Sequence, residues 1–358
     1  MTAMADAALR QVTQPVTVWY TRCPAPTPLS IAAQLGWIED SFATHGISVS
    51  SIRDAADPAI RQSHFDHRLD WSFRQGGNIP PIWAKSGGRK TRLVGLTRTD
   101  EFQAVIALPA SGISKGSDLK GRRIGLPKRP NETIDFQRAT SLKGIVSALT
   151  VSGLSVAEVE LVDLTAKEPV LLGPSDERFH GLRRRLPYGE EIAALHRGQI
   201  DAFFVKGAEG VTVANLIGAQ VVVSTGFHPD PKIRINNGTP RPLTVDATFA
   251  DERPDLVAEL VATVQRVAQW ANDNPAEAVR FIAREIGVSE EAVLAANGAD
   301  VHRNLRLDLD PTELDALSHF KDFLLEWKFI PEDFDVQEWA DPRALSLLQD
   351  ATQHSAGE

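Results

Sequence analysis

Short β-prone runs alternate with segments of helical period along almost the whole chain, and that alternation confines it to the α/β class. Val16–Tyr20 (VTVWY) reads as the first strand. Pro28–His45 reads as the helix after it, because Leu29, Ala32, Ala33, Gly36, Trp37 and Phe42 recur at helical spacing, with Gly46 placed to stop it. Ile47–Ile52, Arg92–Leu96, Ala104–Leu108, Arg122–Leu126, Val159–Leu164, Asp201–Val205, Gln220–Ser224 and Leu243–Ala247 read as further strands. Helices are expected at Arg138–Ser152 and Gly189–Arg197, and from Pro254 the pattern is mostly helical: Pro254–Asn272, Pro275–Glu285, Ser289–Ala296 and Pro311–Trp327. Ser289 before two glutamates and Asp310 before Pro311 supply the cap chemistry for two of these starts.

At 358 residues the chain is long enough for two domains. Its single cysteine, Cys23, excludes an intramolecular disulfide and a cysteine-cluster metal site. A net charge of -9 weighs against a nucleic-acid partner, which calls for a basic surface. No stretch approaches the ~20 apolar residues of a membrane helix, so no membrane partner is expected. Met1–Gln14 lacks the apolar run of a secretory signal, and a lone thiol is easiest to keep reduced inside the cell, so the expected location is cytoplasmic. No zinc, Walker or dinucleotide motif is present, and neither a metal nor an organic cofactor is expected.

Three short segments carry candidate chemistry. Cys23 stands where the first strand hands over to a helix, in a loop with Pro24, Pro26 and Pro28. Ligands of open α/β sheets bind beyond the carboxyl ends of strands, and a helix N-terminus there offers amide donors and a positive dipole to a thiolate. Arg22 adds positive charge. A buried, inert cysteine is the competing reading, at about even weight from position alone. His64 lies in a polar stretch, Arg61–Arg68, that position alone would place on a solvated surface; if it reached Cys23 it could set the thiol's protonation state. Arg74 precedes Gly76 and Gly77. A guanidinium fork suits a sulfinate, sulfonate or carboxylate, and adjacent glycines let backbone amides approach an anion, although an exposed Arg beside an ordinary turn is equally plain. Trp71 and Phe73 could line an aromatic pocket. Lys206 reads as a solvated charge and Arg183–Arg185 as a solvated basic face.

These segments resemble the hydroxyphenyl-benzenesulfinate desulfinases of bacterial dibenzothiophene desulfurisation. The shared pattern is Cys23-Pro24-Ala25-Pro26 after the first strand, the pair His64-Phe65, and Arg74 ten residues later, followed by Gly76-Gly77-Asn78-Ile79-Pro80-Pro81. Weaker likeness, in Gly121–Gly125 (GRRIG) and Gly198–Ala202 (GQIDA), extends over nearly the whole chain and is common to type II periplasmic-binding-like proteins. The resemblance implies a two-lobed fold of that type with a ligand cleft between the lobes. One lobe would be built from residues 1–105 and 225–358, the other from 106–224.

It also implies a hydrolase acting on carbon–sulfur bonds, which releases sulfite from an aromatic sulfinate and needs no cofactor. Cys23 would be the catalytic thiol, tuned by His64, with Arg74 and the Gly77 amide holding the sulfinate oxygens beside Gly76 and Phe65. Two routes fit: attack of Cys23 on sulfur, or protonation of the ipso carbon by Cys23. The chain departs from the pattern at Arg22, where an uncharged amide is usual, at His67, where a tyrosine is, and at Leu69, where a glutamine is. Arg22 or His67 is accordingly expected to contact an additional polar or anionic group of the substrate, and the protein is expected to act as a monomer. The competing readings are a non-catalytic binding protein for an aromatic or sulfur-containing solute, and a thiamine-pyrimidine synthase-like enzyme on the same fold, whose Cys-rich motif is missing here.

Overall fold

A computed structural model of the chain describes residues 17–166 and 187–355; the Met1–Gln14 segment and the Arg183–Arg185 run lie outside the described residues. Among the described residues, ten strands form two five-stranded sheets. The first has the order β2-β1-β3-β10-β4, from β1 (Thr17–Arg22), β2 (Ser48–Ser51), β3 (Ser72–Gln75), β4 (Thr91–Thr97) and β10 (Arg241–Asp246). The second has the order β7-β6-β8-β5-β9, from β5 (Gln103–Ala107), β6 (Arg123–Lys128), β7 (Glu160–Thr165), β8 (Ala202–Lys206) and β9 (Gln220–Ser224). In the first sheet β1 runs parallel to β2 and β3, while β10 returns antiparallel between β3 and β4. In the second, β6 is parallel to β7 and β8, and β5 is antiparallel to β8 and β9.

Each sheet is buried by helices whose apolar faces the sequence pattern marks. Leu256, Leu260, Val261 and Val264 of the helix Pro254–Asp273 join Val18, Phe42 and Phe73 in the core of the first sheet. Ile145 and Leu149 of α5 (Phe136–Val151) join Ile124 and Phe204 in the core of the second. The single helix expected over Pro28–His45 is two, α1 (Pro28–Gln34) and α2 (Trp37–Ala43). Gly36 between them takes φ 76, a left-handed conformation that a right-handed helix cannot run through. Sequence reading also passed over β3, α3 (Pro58–Asp66) and α4 (Ile79–Ser86), which frame the site, and α7 (Gly207–Leu216), the helix after β8. No helix among the described residues is long and apolar enough to cross a membrane.

Where the chain passes from β4 to β5, the side chain of Glu101 is buried, at 4% exposure, between Lys206 at the end of β8 and Arg241 at the start of β10. Lys206 is therefore not the solvated charge that its sequence context suggests. Burial pushes the Glu101 carboxyl up, but Lys206 and Arg241 outweigh it and hold the group below the usual carboxylate range. This ion cluster joins one sheet to the other.

Candidate functional site

The site begins with strand pairing. β1 and β3 are parallel, with Thr21 directly opposite Arg74. Side chains alternate between faces along a strand, so Thr21, Arg74 and, one step beyond β1, Cys23 share one face. Tyr20, Arg22 and Phe73 take the other. The Cys23 amide donates to Gln75 O at 3.1 Å and continues the pairing past the end of β1.

α3 brings His64 to that face. Asp57 caps its start by accepting from the Ala59 amide at 2.8 Å, and Pro58 fills the first turn. The helix stops at His67, whose φ of 52 is left-handed. His64 is 6% exposed, and so belongs to the interior rather than to a solvated surface. Its Nε2 lies 3.6 Å from Cys23 Sγ, and its Nδ1 lies 2.7 Å from the Thr21 hydroxyl, which fixes the plane of the ring.

Arg74, 2% exposed, ties these pieces together. Its Nε donates to His64 O at 3.0 Å, Nη1 to Gly77 O at 2.9 Å, and Nη2 to Cys23 Sγ at 3.1 Å. The first of these bonds also caps the unsatisfied C-terminal carbonyl end of α3, where a cation is favoured. The fork thus fixes the thiol, the helix that carries the imidazole and the Gly77 peptide.

The two glycines are required by contact. A Cβ on Gly76 would overlap Cys23 Sγ and lie 2.7 Å from Cys23 Cβ, and one on Gly77 would lie 2.5 Å from Asn237 Oδ1. Replacing Gly76 by alanine is expected to cost about 1–3 kcal/mol of stability through overpacking. Because the displaced atom is the thiol itself, turnover should fall at least about tenfold as well, since misplacement by an ångström weakens catalysis more than folding. Denaturation midpoints and initial rates measured side by side check this; an unchanged rate would show that the thiol's position does not matter.

Asn237 is the participant that sequence reading missed. It comes from the segment between β9 and β10. Its Oδ1 accepts from the Ile79 amide at 3.0 Å and its carbonyl from the Asn78 amide at 3.1 Å, which locks the Gly-Gly turn into the start of α4. No local pattern announces a contact across such a sequence separation. Thr21 went unremarked as well, although its place two residues before Cys23 on a strand is the signal that would have found it.

Phe65 meets the His64 ring edge-on at 4.9 Å and stacks at 6.2 Å on Phe136, the first residue of α5. It therefore bridges from the first sheet's helices to those of the second. Arg22 is not brought to Cys23. It occupies the opposite face of β1, where Nε donates to Glu285 at 3.1 Å and the same carboxylate holds Arg53 at 2.9 Å. His67 is turned inward too. It lines a small cavity with Thr21, Arg74, Thr244 and Asp246, of about 10 Å³, and its Nε2 has no partner. Trp71 packs on Phe249, and Phe73 stacks between Tyr20 and Phe42, so the pair forms core rather than an aromatic pocket. Among the described residues no three His, Cys, Asp or Glu side chains gather as metal ligands.

Burial first, then Arg74 and Arg53, hold the His64 pKa well below 6.5. Burial and Arg74 do the same for His67, against its hydrogen bond to Phe65 O. The imidazole beside Cys23 is therefore neutral at neutral pH. For such depressed groups the unfolded chain takes up the proton first as pH falls. Stability is fully present above about 6.5 and is lost below it, with a slope of up to ~1.4 kcal/mol per pH unit per histidine. Urea midpoints between about pH 8 and about pH 5 should show this decline, and His67→Gln should make it shallower. A flat profile in the unaltered protein would mean that neither ring is depressed.

The geometry places an accepting sulfur, a neutral imidazole and a fixed guanidinium around one point, an arrangement for moving a proton at a thiol beside an oxyanion. A family model described as NMT1/THI5 like matches residues 24–168. The 2'-hydroxybiphenyl-2-sulfinate desulfinase of Rhodococcus erythropolis is 25% identical over 365 residues, covering 95% of this chain and 94% of its own. A crystal structure of a cysteine-to-serine mutant of the enzyme DSZB in complex with biphenyl-2-sulfinic acid superposes with a TM-score of 0.74 at 25% identity, over 94% of this chain and 99% of that one. The periplasmic aliphatic sulphonate binding protein SsuA from Escherichia coli superposes at 0.65 with 15% identity, over 91% and 92% of the chains, and shares the fold. The architecture is thus the two-lobed α/β fold of the periplasmic binding proteins.

Proposed function

We propose that this protein is a desulfinase that cleaves the carbon–sulfur bond of an aromatic sulfinate, with Cys23 as the catalytic thiol and Arg74 and His64 as its partners. The observation that carries the reading is the convergence on Cys23 Sγ of the Arg74 guanidinium at 3.1 Å and the His64 imidazole at 3.6 Å. A plain solute-binding protein needs an anion cradle but has no use for a thiol fixed in this way. Likeness to desulfinases along 95% of the chain supports the same conclusion.

Of the two routes, protonation of the ring suits the site better. Attack of the thiolate on sulfur would expel an aryl carbanion, and the depressed, neutral His64 is poorly suited to protonate one. In the favoured route Arg74 and the Gly77 peptide orient the sulfinate oxygens beside Cys23. The thiol gives its proton to the ipso carbon, the carbon–sulfur bond electrons return to the ring, and sulfur dioxide leaves. Water then adds to sulfur dioxide to give hydrogen sulfite, and the proton released restores the thiol. The sum is sulfinate plus water to arene plus hydrogen sulfite, a hydrolysis that draws on no redox partner. Phe65 and Phe136 would flank the aromatic rings.

We place the protein in the cytoplasm as a monomer, with one lobe from residues 1–105 and 225–358 and the other from 106–224; the pairing of β5 in the second sheet favours a first crossing just before Gln103. The test is to incubate the protein with 2'-hydroxybiphenyl-2-sulfinate and smaller aromatic sulfinates and to quantify sulfite and arene together. Equal yields of the two support the proposal. Tight binding without sulfite would make this a solute-binding protein instead.

A further inference from the structure

In the second sheet, the loop between β6 and α5 holds a guanidinium, that of Arg129. Arg129 is 5% exposed, its Nη1 is buried without a hydrogen-bond partner, and it makes no salt bridge to a carboxylate among the described residues. Its Nε donates to the side chain of Gln137, and its backbone amide donates to Asp135 Oδ2 at 2.7 Å. The other oxygen of Asp135 caps α5 by accepting from the Arg138 amide at 3.0 Å. The loop is therefore built to hold Arg129 in place. A buried cation without a paired carboxylate among the described residues is costly to keep, and ligand-binding sites are where such groups are found.

The neighbours of the loop and of the start of α5 lie beside the Cys23 site. Thr133 accepts from Gln62 of α3 at 3.1 Å, and Phe136 stacks on Phe65 beside His64. One turn on, Thr140 O accepts from Asn236 at 3.1 Å, next to the Asn237 that closes the Gly-Gly turn. The first two turns of α5 thus contact both Phe65, beside His64, and Asn236, beside Asn237, and Gln137, the partner of Arg129, lies in the first of them. Of the two positions where the sequence suggested an extra contact, Arg22 is paired with Glu285, and His67 lines the small cavity that Thr21 and Arg74 also line.

We propose that Arg129 is a second anion subsite, which makes the preferred substrate an aromatic sulfinate carrying a further acidic group, a carboxylate or sulfonate, on the part of the molecule remote from the reacting sulfur. The assignment rests on the desulfinase reading and deepens it. Arg74 takes the reacting sulfinate, and Arg129, in the other sheet's lobe, takes the second charge. A dianion engages both lobes through charge, whereas a monoanion engages only one.

The experiment compares biphenyl-2-sulfinate with the same scaffold bearing a distal carboxylate, in the unaltered protein, in Arg129→Gln and in Arg129→Lys. The expected result is a kcat/KM for the dianion at least about tenfold above the monoanion, with that ratio collapsing about tenfold in Arg129→Gln and partly kept in Arg129→Lys. An equal loss on both substrates in the two variants would mean that Arg129 only supports the fold, and an unchanged ratio would mean that it meets no ligand charge. Equilibrium binding of both compounds in a Cys23→Ser background gives the same comparison without turnover. Sulfite release with no preference for the dianion overturns the subsite alone. A binding preference without sulfite from any compound overturns the desulfinase reading and leaves the subsite standing.

Discussion

Replacing Cys23 by serine leaves a folded protein whose sulfite release falls by at least about 10³-fold, the scale of losing the central reactive group of a site. The substitution is close to isosteric. It keeps an acceptor for Arg74 Nη2 and fits the space beneath Gly76, so binding of the sulfinate should persist within a few-fold. What it removes is acidity. A hydroxyl is a far weaker proton donor than a thiol, and its conjugate base is correspondingly hard to form beside a neutral imidazole. A fall in kcat with KM little changed is the pattern of a group that acts only in the transition state. Sulfite release at the original rate would remove Cys23 from the chemistry.

Arg74→Lys is the second large effect, with kcat/KM lower by about 10²–10³-fold. Charge is retained, but one ammonium cannot serve His64 O, Gly77 O and Cys23 Sγ, which the fork reaches with three different nitrogens. Two buried acceptors lose their donor, and the thiol and the Gly77 peptide are no longer fixed relative to each other. Stability should fall as well, by about 1–3 kcal/mol for the unsatisfied carbonyls. Added guanidinium-type small molecules, tried against Arg74→Gly, separate lost chemistry from lost folding: partial recovery of sulfite release shows that the fork itself is needed. A lysine variant as active as the parent would reduce Arg74 to a generic positive charge.

The α/β alternation and the positions of most strands were legible in the sequence, and the Cys23, His64 and Arg74 that the family resemblance singled out lie together in the structure. Strands such as Gln220–Ser224 are β-branched runs, and the site lies in short motifs with a distinctive spacing. What escaped has a common physical cause. α3 exposes little apolar pattern because the residues it buries, Ser63, His64 and Asp66, are polar. β3 is four residues long and fully buried, yet it reads Ser-Phe-Arg-Gln, a strand whose interior is hydrogen-bonded rather than greasy. Gln75 shows how: its side-chain oxygen accepts from the Leu29 amide at 2.9 Å, and its amide donates to Thr97 at 3.0 Å. Buried polar groups paired by distant partners leave no periodic trace. Arg22 was misjudged for the opposite reason, since proximity in sequence to Cys23 places it on the other face of the same strand.

The return of β10 into the middle of the first sheet also sets an order of events during synthesis. Every strand of the second sheet lies within residues 103–224, so that sheet can close once Ser224 has left the ribosome. The first sheet cannot. β3 and β4 are both translated before residue 100 but pair with each other only through β10, which ends at Asp246, and the long helix over them follows at Pro254–Asp273. Until then the nascent chain carries Arg74 on a strand, β3, that has β1 on one side and an open edge on the other. Non-local pairing of this kind is slow and leaves strand edges open to wrong partners. The sheet that starts first is the sheet that closes last, and the strand of Arg74 gains its second neighbour only when β10 arrives.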